Sequence, residues 1–238
     1  MAGSTGPITL AGVIAQQNAE LLAGITLAQL IRPGLPILYG TTSTNIDMRT
    51  GALVLGSPEL SLIVSAHAQL ARFYGLPCYS TAGVADTKKP GIQATVEKLI
   101  TLMSVPWSGA QYIHYAFGLL NRTAEFSPEQ TVMDDAHIGI IKRILEPAKV
   151  SSDRRQGVLD VIREVMGSSN RTFMYHLPVP SKENVYVKYP LEHKEGGALR
   201  AAHEKLQKIM ERPRNPLPED VRAEIEKTVS GVLPQALQ

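Results

Sequence analysis

Short apolar runs and helical patterns alternate along the first part of the chain, and that alternation constrains the fold more than any other feature. The runs are Pro7–Leu10, Pro36–Tyr39, Pro77–Thr81 and Tyr112–Tyr115. Each follows a turn residue and leads into polar loop chemistry. Their offsets, roughly 30–40 residues, are the size of a βαβ unit. Gly12–Ile31 carries Ala15, Ala19, Leu22, Ile25 and Leu30 at helical spacing and stops at Arg32-Pro33-Gly34. Ser57–Tyr74 opens on Ser-Pro-Glu, which supplies a cap, a proline at the first helical position and an acidic first turn. Further helices are expected from Gly91 to Met103 and from the acidic pair Asp134-Asp135 to Leu145.

Strands that alternate with helices form a parallel sheet covered by those helices. The connections after the runs are long, such as Gly40–Ser57, whereas the returns, such as Gly75-Leu76, are short. In barrels of βα units the loops after the strands build the site, and the return loops hold the scaffold. The expected fold is therefore α/β of the (β/α) TIM-barrel type. A closed barrel needs eight strands and four are visible, so residues 1–150 read as about half a barrel. Residues 151–238 read as a mostly helical C-terminal extension, with helices at Asp153–Met166, Leu199–Met210 and Pro218–Val229. The first run arrives directly at Pro7, as though the chain begins within a fold, and the residues before it lack the positive segment of a signal peptide. No GxGxxG follows the first run, so a dinucleotide fold is not supported.

The 238 residues carry a net charge of +2 without a basic stripe, which argues against nucleic acid. A single cysteine, Cys78, excludes an internal disulfide and fits a reducing, cytoplasmic setting. No apolar run reaches the ~18 residues of a membrane span. No two histidines stand at metal-ligand spacing with a supporting carboxylate, so no metal site is expected.

The segments "GPITLAGVIAQQNAELLAGITLAQLIRPGLPILYG", "DMRTGALVLGSPE", "QLARFYGLPCYSTAGVADTKKPGIQA" and "GAQYIHYAFGLL" together resemble the trimethylamine methyltransferase family. The resemblance covers residues 6–150 and is to the C-terminal half of the family's chains, in the branch without pyrrolysine. Thr172–Tyr189 departs from the family pattern. The resemblance implies a TIM barrel that passes a methyl group from a quaternary or tertiary methylamine, such as a betaine, to the Co(I) corrinoid of a separate partner protein. The corrinoid is then carried by the partner and is not held tightly by this chain.

A quaternary ammonium is best held by aromatic faces and by acidic or hydroxyl groups. His114, flanked by Tyr112 and Tyr115, is the candidate catalytic residue, since Tyr112 and His114 share one face of a strand. Tyr39 and the following loop, with Asp47 and Arg49, are candidate substrate contacts, although Asp47 and Arg49 could equally pair with each other. Asp86 is a candidate partner for a cation, and Gly83 supplies a tight turn or a close approach to a ligand. A half barrel exposes strand edges and an apolar face. Self-association, or pairing with a complementary N-terminal half, is therefore expected. Two other readings stay open: a non-catalytic relic scaffold that binds a corrinoid protein, and an unrelated α/β protein acting on a small anionic ligand.

Overall fold

The computed structural model describes residues 1–147, 152–169, 190–191, 196–212 and 218–229. The fold is mixed α/β, mostly helical, around a small parallel sheet. Helix α1 (Leu10–Ile31) comes first, capped by the Thr9 hydroxyl, which accepts the Gly12 N–H. Pro7–Leu10 is therefore no strand. Pro7 has no N–H to give a sheet, Ile8 is 67% exposed, and the extended Thr9 backbone serves as the helix cap.

Strand β1 (Tyr39–Gly40) follows, then a hairpin of β2 (Asn45–Asp47) and β3 (Ala52–Val54). The long polar connection after β1 is thus an ordered antiparallel ribbon. Helix α2 (Pro58–Phe73) begins at Ser57, whose hydroxyl accepts the Leu60 N–H. It buries Leu60, Ile63, Val64, His67, Ala68 and Ala71, one face at helical spacing. Strand β4 (Cys78–Thr81), helix α3 (Ile92–Trp107) and strand β5 (Tyr112–His114) complete the sheet. Helix α3 runs past the expected end at Met103 and holds Pro106 in its last turn.

The sheet order is β1-β4-β5, all parallel, with Tyr39 beside Cys78, Tyr79 beside Tyr112, and Thr81 beside His114. Alternation along the strands then sorts the side chains. Tyr39, Cys78, Ser80 and Ile113 face the helices. Gly40, Tyr79, Thr81, Tyr112 and His114 face the other way. The core between sheet and helices gathers Leu55, Leu60, Val64, Ala82, Val84, Leu102, Val105 and Ile141.

Beyond β5 a small hairpin, β6 (Leu119–Leu120) and β7 (Glu125–Phe126), leads into α4 (Pro128–Leu145). Helix α4 starts six residues before the expected Asp134, with Ser127 as cap and Pro128 in the first turn. Helices α5 (Ser152–Gly167), α6 (Gly197–Met210) and α7 (Glu219–Thr228) follow. Ala202 of α6 packs with Val132, Met133 and Ala136 of α4. Thr172–Tyr189, His176 and His193 lie outside the described residues. No described helix is long and apolar enough to cross a membrane.

Behind the sheet, Lys98 of α3 and Asp134 of α4 form an ion pair at 2.9 Å, both side chains fully buried. Lys98 also donates to the Gly83 carbonyl, and Asp134 accepts the Gly118 N–H at 2.7 Å and the Gln130 side-chain amide at 2.8 Å. One buried pair thereby pins the loops after β4 and β5. Burial pushes the Lys98 ammonium below its ordinary value, against the Asp134 carboxylate, which favours the charged form.

Candidate functional site

On the face of the sheet turned away from the helices lies a row of four rings. Tyr112 and Tyr79 stack with centroids 5.4 Å apart, Tyr79 and His114 lie 4.4 Å apart, and Tyr115 meets His114 edge-on at 3.9 Å. The two ends are open: Tyr112 is 57% and Tyr115 47% exposed. Gly40 makes the row possible, because a Cβ there would fall 2.6 Å from a ring carbon of Tyr79.

His114 is held from below. Its Nε2 lies 2.9 Å from the Thr81 hydroxyl and 3.4 Å from the Tyr79 hydroxyl. Its Nδ1 is buried and has no hydrogen-bond partner among the described residues. Burial pushes the imidazole below its ordinary value, so it is neutral near pH 7. Burial, with Tyr115 and Tyr112 adding to it, raises the Tyr79 phenol. The row is therefore an uncharged face of π systems, suited to a cation that has no proton to give.

The structure brings only part of the expected set to this face. His114 and Tyr112 are on it, side by side as their alternation requires. Tyr39 is on the opposite side of the sheet, fully buried, donating to the Asn18 side-chain oxygen at 2.7 Å. Burial pushes its phenol up to about 12. Asp47 closes the β2–β3 turn: its carboxylate accepts the Arg49 backbone N–H at 2.9 Å and the Thr50 hydroxyl at 2.8 Å. Those bonds hold the Asp47 carboxyl below its ordinary value. Arg49 is exposed at that tip. Gly83 has φ +81°, which favours glycine, and a Cβ there would sit 2.9 Å from the Ala116 Cα, so the close approach it permits is to the chain's own backbone.

Asp86 accepts the backbone N–H groups of Leu55 at 2.9 Å and Gly56 at 3.0 Å, one on each oxygen. Glu97 in turn accepts the Asp86 and Thr87 N–H groups, and Arg122 donates to the Leu53 carbonyl at 2.7 Å. These bonds lace together the connections after β1, β4 and β5. Asp86→Ala is expected to lose about 1–3 kcal/mol in chemical unfolding, because two partly buried amides lose a charged acceptor. A loss under 0.5 kcal/mol would remove this structural role and leave the carboxylate free for a ligand.

Three half-buried or buried histidines share one sign. His67, His114 and His137 are all pushed below 6.5, chiefly by burial. Below 6.5 the unfolded chain binds protons that the folded chain refuses, so stability is full above that pH and declines as pH falls below it. The urea midpoint is expected to drop between pH 7.5 and pH 5.5, where carboxylates do not yet titrate. His67→Leu should flatten that slope, and a midpoint indifferent to pH over the interval would contradict it.

The profile of the trimethylamine methyltransferase (MTTB) family matches residues 1–175. The chain belongs to that family. It is 45% identical over 165 residues to a glycine betaine methyltransferase of Desulfitobacterium hafniense (strain Y51), a match covering 69% of this chain and 34% of that protein. Similarity to trimethylamine methyltransferase MttB of Methanosarcina thermophila is 42% identity over 153 residues, 64% of this chain and 32% of that one. A proline betaine:corrinoid methyltransferase of Eubacterium limosum is 37% identical over 164 residues, covering 69% and 34%. The match thus spans about a third of the length of these relatives.

Two residues of this methyltransferase-family chain escaped the sequence reading, Tyr79 and Thr81. Tyr79 is the centre of the ring row and Thr81 the hydroxyl under His114. The signal existed: both alternate along the run Cys78–Thr81, and both pair across the sheet with the Tyr112–His114 segment.

Proposed function

We propose that this chain forms one wall of an enzyme that moves a methyl group from a quaternary or tertiary methylamine, betaine-like, to the Co(I) corrinoid of a partner protein. The observation that carries the reading is the neutral row of Tyr112, Tyr79 and His114 on the open face of the sheet. Family membership and the similarity to the proline betaine:corrinoid methyltransferase of Eubacterium limosum support the corrinoid as methyl acceptor. The row's chemistry suits this role: the partner carries the cobalt, so this chain needs no metal ligands, only a surface for the ammonium head.

In the reaction the N–CH3 bond breaks, its electron pair stays on nitrogen, and a quaternary substrate leaves as a tertiary amine with no proton transferred. Reduced corrinoid supplies the nucleophilic electron pair. The chain's own residues bind and orient. The π faces of Tyr79 and Tyr112 attract the cation. A neutral His114 adds no repelling charge, and Thr81 fixes its ring plane. Three parallel strands in sequential order, with their outgoing loops laced at one end, suit a segment of a (β/α) barrel. A second copy or a complementary chain covers the exposed face.

The exposed face also favours a second reading, a non-catalytic scaffold that binds a corrinoid protein or a complementary chain. Purified chain is mixed with a reduced corrinoid protein and a panel of methylated amines, and the cobalt spectrum is followed. Amine-dependent methylation of cobalt supports the enzyme. Saturable binding of the intact, reduced corrinoid protein with no affinity for any methylated amine and no methylation supports the scaffold.

A further inference from the structure

The backbone bends just past the end of β5, and it does so on a tyrosine. Tyr115 has φ +66°, the left-handed region that a side chain with a Cβ adopts at a cost and glycine adopts freely. The cause is local. His114 still pairs with the sheet, its carbonyl accepting the Ala82 N–H at 3.3 Å. The next residue but one, Ala116, lies so close to Gly83 that a Cβ there would fall 2.9 Å from its Cα. Held at both points against the extension of β4, the backbone crosses Tyr115 in a left-handed conformation, a position suited to glycine.

Left-handed backbone recurs at Asn121, Arg122 and Thr123, but there it is matched by tethers. Asn121 N–H reaches the Thr87 carbonyl at 2.9 Å, and Arg122 reaches the Ala85 and Leu53 carbonyls at 3.0 and 2.7 Å. Tyr115 has no such compensation. Its ring is 47% exposed and its hydroxyl makes no hydrogen bond within the described residues. What the strained turn does achieve is to stand the ring edge-on to His114, at 3.9 Å and 75°, at the open end of the ring row. Strain kept at one residue without local return marks a position held for a ligand.

We infer that Tyr115 is the specificity-determining wall of the site, selecting the fixed positive charge of an N-methylated ligand against a neutral group of the same shape. The inference rests on the reading above that the ring row faces that ligand. A turn at Tyr115 adds a second ring plane, tilted from the Tyr79–Tyr112 stack, so that a trimethylammonium head meets π surface from two directions. A neutral tert-butyl head has the same volume and gains nothing from the ring quadrupoles.

The test uses the full chain and two probes, glycine betaine and its carbon isostere 3,3-dimethylbutanoate, titrated by ligand-observed NMR. The parent and Tyr115→Phe are expected to prefer betaine. Tyr115→Gly and Tyr115→Asn, both tolerant of a left-handed backbone, should lose about tenfold in betaine affinity while isostere binding stays within about twofold. Their thermal midpoints should stay within about 3 °C of the parent, because relief of the turn offsets the lost half-buried ring. The inference is overturned by an undiminished betaine affinity in Tyr115→Asn, by equal loss for both probes, by a midpoint that falls along with binding, or by a parent that shows no saturable betaine binding. Cobalt methylation that persists unchanged in Tyr115→Asn sinks this inference alone. Ring-dependent betaine binding without any cobalt methylation sinks only the proposed transfer.

Discussion

Lys98→Met is expected to destabilise the chain by about 3–5 kcal/mol, the cost of leaving one member of a buried ion pair without the other. The Nζ of Lys98 sits 2.9 Å from Asp134, with neither side chain exposed. Removing it strands the carboxylate, which keeps the Gly118 amide and Gln130 as hydrogen-bond partners, with the His137 imidazole 3.9 Å away. It also leaves the Gly83 carbonyl without its donor. Replacing both partners, as in Lys98→Met with Asp134→Leu, should recover part of the loss and not all of it. The Gly118 amide and the Gln130 side chain then lack their acceptor, at about 1–3 kcal/mol for a buried orphan. Urea unfolding at constant m-value measures all three states. The damage should also be directional: amide exchange at Gly83 and Gly118 should accelerate first, because the pair ties those two loops to α3 and α4. A Lys98→Met chain within 1 kcal/mol of the parent would show that the pair is not what holds the loops.

The same pair marks where the sequence was readable and where it was not. Ser57-Pro58-Glu59 correctly signals the start of α2, because capping chemistry is local. The identical trio Ser127-Pro128-Glu129 starts α4, yet the acidic pair Asp134-Asp135 draws attention instead as a first turn. Asp134 is an interior residue answering Lys98 on another helix, a relation no local pattern encodes. Pro7–Leu10 has a strand's composition, but a strand needs a neighbour, and composition says nothing of neighbours. The parallel sheet and its three later strands were legible because periodicity is a local property, and the left-handed backbone at Gly83 fits the residue type that stands there. Asp86 reads from the sequence as a candidate partner for a cation; its bonds to the Leu55 and Gly56 amides, just past a hairpin that reads only as polar loop, depend on contacts 31 and 30 residues away that no local pattern encodes. Tyr39 and Tyr112 looked equivalent, each an aromatic in an apolar run. The register separates them, placing one against the helices and the other on the open face.

That separation sets the second large effect. His114→Leu should slow amine-dependent cobalt methylation by about 100-fold, the scale expected when a group that orients a bound substrate is lost. Leucine fills a similar volume, so the sheet persists, but the ring facing Tyr79 and Tyr115 disappears and the Thr81 hydroxyl loses its imidazole partner at 2.9 Å. Tyr39→Phe is the matched comparison on the other face. It removes the 2.7 Å bond to Asn18, which should cost about 1 kcal/mol of stability and leave the rate within about twofold. The pair of variants therefore assigns the chemistry to one side of a three-stranded sheet. A His114→Leu chain that methylates cobalt at the parent rate, or a Tyr39→Phe chain that loses the rate while keeping its stability, would move the site to the helix side and take the ring row out of the reaction.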